Sequence, residues 1–536
     1  MTMCRQSFLP LLVAFSLSVE VVRAELPATM PSDSELAAMI RNLGDDDAMV
    51  RDNAEVIIMA HPFALPQFEE KLAEGKLSPG AEARLKHCVD LLRPGYEARL
   101  RLRKEDELVE AHRQQEGPDS YLSIGDHNPK WDADALEAIR AAIHLTIGTD
   151  PQNDAHILDE CQKAISAGCN DPLVRYFLAH VKSVLPGADQ NADAMITETR
   201  AAASAMMGSK YCARFRADAA LDAVGTKWRL AGKDSLLNSE IDHQLMDKAL
   251  ALLPEITQQE IVPRRVFQSV KAMQSQYELI FGDTKKAFDM IYPVFSQAVP
   301  NGAGPLIYKG DFYIQYAWEA RGSGFANTVT DAGAKLFVER LAVAREALEA
   351  AYKLDPDDSR AATDMLIIVK SQSLPRADME LWFDRAMHAD PDNNDACMAK
   401  MDYLQPKWNG SLDELMQFAH ECVQTENWYG NLPLILVETH KEYGAYAKPA
   451  GYFKNPQVWA DAKRLSLACL LVHPDDNYHR SLYAFMACKC GHLVVANKLF
   501  KTLGDQVVVS VFRDKDNLNL WKSKAAARAA GQAGQN

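Results

Sequence analysis

Apolar positions recur three and four residues apart along most of the chain, the spacing that gathers them on one face of a helix. Leu36, Met39 and Ile40 follow Ser32-Asp33-Ser34-Glu35, where a serine answered three residues later by a glutamate is the reciprocal cap that opens a helix. Asp132 or Asp134 opens another helix through Ile143, and Cys161 to Ala167 ends at Gly168 before turning at Asp171-Pro172 into Leu173 to His180. No run of alternating β-branched residues bounded by hairpin turns occurs, so the pattern predicts an all-α chain. Its units have a period. Asp355-Pro356 and Asp390-Pro391 lie 35 residues apart, each closing an Ala-rich helical stretch. His473-Pro474-Asp475-Asp476 follows 83 residues after Pro391, leaving room for two units and an insertion. A period near 34 with a proline just past the second helix marks stacked helical hairpins, an α-solenoid.

Small and large positions sharpen this after residue 335. Ala344, Leu348, Ala351 and Pro356 carry one small-large-small-proline set, and Phe383, Ala386 and Pro391 carry the next, with Met379 at its first small place. Gly491, Ala496 and Phe500 fit a late unit, while Ser466 and Cys469 stand at key places in the unit ending at Pro474. The small residues let paired helices approach and the large one fills the groove. These positions resemble degenerate tetratricopeptide (TPR) repeats. With Trp382-Phe383-Asp384-Arg385-Ala386, Tyr403 to Ser411 and Phe418-Ala419, residues 340 to 500 also look like a bacterial TPR-like domain family with no assigned activity. That resemblance implies a fold and no chemistry.

Residues 32 to 95 hold an acidic turn at Asp45-Asp46-Asp47, Arg51 before Ala54, and a second helix from Ala83 to Leu92. They resemble HEAT repeats, whose turn Asp and Arg tie successive units together; Asp47 and Arg51 match those places. Residues 96 to 116 interleave acids and bases, and Glu97 with Arg101, Arg101 with Glu105 and Arg103 with Glu107 are spaced four apart, which reads as an exposed helix. Gly117-Pro118-Asp119 reads as its end and a domain boundary. The expected organisation is a leader at 1–24, a HEAT-like segment at 32–116, a helical middle at 130–334, a TPR-like array at 335–510 and a flexible tail at 511–536, where Lys522 to Asn536 offers little to bury.

Composition narrows the functional classes. Among 536 residues, 48% are hydrophobic and 24% charged, and the formal net charge is −15. That balance excludes a general nucleic-acid binder, which needs a basic footprint. Arg5, the apolar run Ser7 to Val19 and the small residues around Val22-Arg23-Ala24 read as a secretory leader cut after Ala24. Loss of two arginines and one glutamate with it moves the charge from −15 to −16. No later stretch approaches the ~20 apolar residues of a membrane span. The expected location is periplasmic or secreted. Nine cysteines remain after Cys4 is removed, an odd, scattered set that is no disulfide framework.

The common catalytic patterns are missing. His420-Glu421 has no second histidine in register for a zinc helix, Gly232-Lys233 lacks the upstream glycine of a phosphate loop, and Arg321-Gly322-Ser323-Gly324 follows a helix where a nucleophile elbow needs a strand. Cys488-Lys489-Cys490-Gly491-His492 has ligand-type residues but no second pair beside it, except His473 and His479. Asp126 and His127 could act as an acid–base pair, though the turn before a helix reads more simply. No cofactor is indicated. Trp408, flanked by Lys407 and Asn409 before the cap at Ser411, is the candidate partner-binding spot; its other reading is a plug between helices. The expectation is a non-catalytic scaffold that holds a protein or peptide on the concave face of a solenoid. The alternatives are an all-helical carbohydrate-active enzyme with paired carboxylates, and a structural part of a cell-envelope assembly.

Overall fold

The computed structural model describes residues 30–143, 151–231, 240–322, 324, 328–408, 410–446 and 451–533. No strand occurs among them, and the chain is all-α. In order the helices are α1 (Asp33–Asn42), α2 (Ala48–Met59), α3 (Leu65–Ala73), α4 (Pro79–Leu92), α5 (Tyr96–Gln114), α6 (Ser120–Ile124), α7 (Asp132–Ile143), α8 (Pro151–Ser166) and α9 (Pro172–Val184). Then come α10 (Ala192–Met207), α11 (Ala213–Ala231), α12 (Glu240–Ala251), α13 (Leu253–Gln259), α14 (Pro263–Phe281), α15 (Thr284–Ala298), α16 (Ala303–Arg321) and α17 (Asp331–Leu354). The last group is α18 (Ser359–Ser371), α19 (Arg376–Ala389), α20 (Asn394–Tyr403), α21 (Leu412–Gln424), α22 (Ile435–Tyr446), α23 (Pro456–Val472), α24 (Asn477–Lys489), α25 (Leu493–Leu503) and α26 (Lys515–Ala533).

Local signals place the ends. Ser32 accepts from the Glu35 amide while Glu35 reaches back to the Ser32 amide, so both orphan donors at the start of α1 are satisfied. Ser411 caps α21 through the Glu414 amide. Asp283 caps α15 directly after Gly282, whose φ of 62° ends α14 in the left-handed region that glycine enters without a Cβ penalty.

The chain divides into two compact units. One holds Leu102 to Gly322 together with the segment up to Asp355; the other gathers the described residues up to Arg101 and from Pro356 onward. Residues 115–119 do not end a domain: they form a π turn that runs on into α6. In the 102–355 unit, each helix from α7 to α17 packs on the next in sequence. Tyr121, Ile139, Phe177, Phe215, Tyr277 and Phe295 lie in one continuous apolar cluster. Helices α16 and α17 approach closely: a Cβ on Gly310 would sit 2.4 Å from the Leu348 side chain. That large residue, read from the repeat pattern, fills a groove that only glycine leaves open.

In the other unit, α18–α19, α20–α21, α22–α23 and α24–α25 are consecutive hairpins. The first helices α18, α20, α22 and α24 also touch one another in series. The segment from α1 to the start of α5 packs on this array far from it in sequence. Helix α2 meets α23, and Phe63 meets Tyr429 edge to face at 5.5 Å. His87 lies 3.3 Å from Glu426. Arg101 bonds the Asp357 carboxylate at 2.8 Å and the Ala389 carbonyl at 2.5 Å. These partners all lie in or beside the turns that connect one hairpin to the next.

Two expectations are corrected here. The start of α5 is not an exposed charged helix: Arg99 is 6% exposed and donates to Asp392, and Arg101 pairs with Asp357. Of the three expected i,i+4 pairs, Arg103–Glu107 forms, at 3.0 Å. The tail is not loose either: Lys515–Ala533 is helical and packs on α25. Leu518 and Ala525 are its buried anchors, and alanine, the best helix former, carries the rest.

Candidate functional site

The first helices of the four C-terminal hairpins carry a linked series of charged and aromatic groups. Lys370, at the end of α18, donates to Asp402 on α20 at 2.5 Å. Lys407 reaches the other Asp402 oxygen at 3.5 Å from the loop that follows α20. Burial works against the Asp402 charge, but Lys370 and Lys407 hold its carboxyl below the usual carboxylate range. The Lys370 ammonium also sits 5.3 Å above the Trp408 ring, within cation–π reach.

The series continues on α22. Glu442 feels the charges of both Lys407 and Asp402, and burial raises its carboxyl above the usual range. Lys441 bonds Glu438 at 3.0 Å; burial would lower its ammonium, but the Glu438 and Glu442 charges raise it. Glu438 accepts from the Tyr478 hydroxyl on α24 at 2.6 Å. Burial and that carboxylate push the phenol far above its ordinary value. Lys370, Asp402, Lys407, Glu442, Lys441, Glu438 and Tyr478 thus run across four successive first helices, and Lys407 and Tyr478 are exposed. The alternating signs can bind an extended segment that carries both charges, with Trp408 and Tyr478 as flat apolar contacts.

Of the three sequence-predicted residues, Lys407 and Trp408 belong to this series, and Asn409 lies outside the described residues. Trp408 is half-buried, so the plug and the contact surface are two sides of one ring. The other members were missed, because each is a single charge on a separate helix and only the stacking of first helices aligns them.

The remaining sequence candidates are not brought together. Cys488 is buried inside α24, and the His492 ring stacks on Trp459 at 4.0 Å. Burial pushes the Cys488 thiol up to about 12. The Asp126 carboxylate caps the Asn170 amide, and its own amide is capped by Asp171. His127 faces Asp132 at 3.7 Å, so Asp126 and His127 form no acid–base pair. Asp47 caps the Met49 amide, and Arg51 donates to the Asp45 and Asp46 carbonyls of its own turn. Gly232, Lys233 and Ser323 lie outside the described residues. No helix is long and apolar enough to cross a membrane among the described residues. No family model matches this chain, and no curated protein matches it.

Proposed function

We propose that the protein is an exported, non-catalytic scaffold that binds an extended protein segment or peptide along the first-helix row of residues 359–489. The observation that carries this reading is the continuity of that row. Four first helices touch in series, and they carry two bonded groups, Lys370–Asp402–Lys407 and Glu442–Lys441–Glu438–Tyr478, which interact through the charges of Glu442, Lys407 and Asp402. Hairpin arrays use such rows to hold extended chains. A chain of net charge −15 favours a basic or neutral partner. The leader read in residues 1–24 supports a site of action in the periplasm or outside the cell.

The test is site-specific photo-crosslinking in the full mature chain, residues 25–536, from Lys407 and from Glu442, against a control at Lys86. One protein captured from both row positions, absent from the control and lost with Trp408→Ala, supports the scaffold. Capture of nothing, together with turnover in a panel of glycans and peptides, sinks it in favour of an enzyme.

A further inference from the structure

The second point of chemical interest lies at the turn between α23 and α24. Cys469 sits in the last full turn of α23, and His473 caps that helix, its amide bonded to the Cys469 carbonyl at 2.7 Å. Asp476 is the N-cap of α24, and its carboxylate accepts from the His479 amide at 2.9 Å and from His479 Nδ1 at 2.5 Å. One donor atom each from Cys469, Asp476 and His479 lies within 4.8 Å of the others. Cys469 is fully buried and His479 is 8% exposed.

His473 supplies an independent observation. It is 3% exposed. Its Nε2 bonds the Trp428 carbonyl at 2.9 Å, which fixes Nε2 as the protonated nitrogen and leaves a lone pair on Nδ1. That Nδ1 is buried and has no hydrogen-bond partner, and the ring is close enough to feel the charges of Asp476 and His479. A histidine whose Nε2 donates to a backbone carbonyl while its Nδ1 stays bare is held in the tautomer a metal requires. Asp392 has Arg99, and Asp242 has Arg200 and Lys227, whereas Asp476 has the His479 imidazole. Arg480 is close by, but it donates to the Pro474 carbonyl and to Asn477.

We propose that Cys469, Asp476 and His479 bind one divalent transition-metal ion of the zinc class, and that His473, whose ring lies outside that close group, moves in as fourth donor. One thiolate and one carboxylate neutralise the dication, and two neutral imidazoles complete a tetrahedral set. The thiolate selects zinc-like ions over calcium or magnesium. Binding forms the metal–sulfur bond and breaks the S–H bond of Cys469, releasing its proton to solvent; there is no electron transfer. The other buried group of ligand types, His112, Glu116 and Glu260, is already occupied by charge. Arg214 and Arg265 both donate to Glu116, and a dication there would meet two fixed positive charges.

The test uses the full mature chain, stripped with a chelator and titrated with CoCl2 and then ZnCl2. The expected result is about one equivalent of cobalt with a thiolate-to-metal charge-transfer band, displaced by zinc, and about one proton released per ion. Cys469→Ala abolishes the band, His473→Gln and His479→Gln weaken binding, and Cys488→Ala leaves it unchanged. The proposal is overturned if the unaltered chain binds no cobalt with a sulfur band, or if the band survives Cys469→Ala. Full affinity in His473→Gln overturns the four-donor set. The unaltered chain's spectrum needs no variant, so a misfolded mutant cannot hide the answer.

Discussion

Arg99 and Asp392, 293 residues apart, form a buried ion pair in which the guanidinium Nε and Nη2 both bond the carboxylate, at 2.8 to 3.1 Å. Asn427 adds a third donor to the same carboxylate at 2.8 Å. Truncating one partner leaves the other as an uncompensated buried charge, which typically costs about 3–5 kcal/mol. Arg99→Ala and Asp392→Ala should each lower the unfolding free energy, read from urea titrations, by that amount. The double variant should lose far less than the sum, and equal additivity in the cycle would show that the pair does not act as one unit.

The α16–α17 contact gives a steric prediction. Gly310→Ala drives a methyl into the Leu348 side chain and should destabilise the fold by about 1–3 kcal/mol. Gly310→Ala with Leu348→Val should recover part of the loss. Thermal melts of the three variants check this, and an unchanged melting point in the single variant would show that the helices can move apart freely.

Stability should fall with acid in two windows. His440 is buried, and that burial lowers its imidazole below the ordinary 6.5 despite the Asp461 charge nearby. The unfolded chain therefore binds the extra proton first, and stability declines as pH drops below 6.5. For Glu116, burial pushes the carboxyl up, but Arg214, Arg265 and His112 outweigh it and bring it from 4.5 down to about 2. Its contribution, about 3 kcal/mol, is complete above 4.5 and is lost as pH falls through 2. Urea midpoints measured across both windows should show less acid sensitivity below 4.5 in Glu116→Gln than in the unaltered chain.

The last helix should matter to the fold. Ala525 has no exposed surface, so Ala525→Glu buries a charge and should cost at least about 2 kcal/mol. Ala526→Glu, one residue on and exposed, should cost little. Equal effects in denaturant titrations would mean that the helix is not packed.

Local signals in the sequence translated directly into structure. Ser32 with Glu35, Ser411 with Glu414, and the Asp-Pro turns at 355 and 390 each depend on neighbours a few residues away, so they could be read from the string itself. What could not be read depends on distance. Arg99 looks like its neighbours Arg101 and Arg103 in sequence, and only the arrival of Asp392 buries it. The tail looked loose because alanines show no amphipathic stripe, yet alanine is the residue that lets α26 lie close to its neighbour. In the candidate site Trp408 was visible as an aromatic in a polar loop. Glu442 and Tyr478 were not, since a lone charge on each helix has no meaning until the hairpins stack. Likewise, His473 and His479 were named beside the wrong cysteines. The turn brings His479 to Cys469, on the helix before the one that carries Cys488.

The packing of residues 30–101 on turns beyond residue 356 sets an order of assembly. Residues 102–355 form a contiguous unit whose partners are all in hand once that stretch has been synthesised. Helices α1 to α4 pack on one another, but their contacts with the C-terminal turns must wait until Asp357, Asp392 and Glu426 have emerged. Pairings of such long sequence separation close late and slowly. The interval leaves the beginning of the chain exposed to proteases and to chaperones, and it makes the C-terminal hairpins the template on which the N-terminal helices fold.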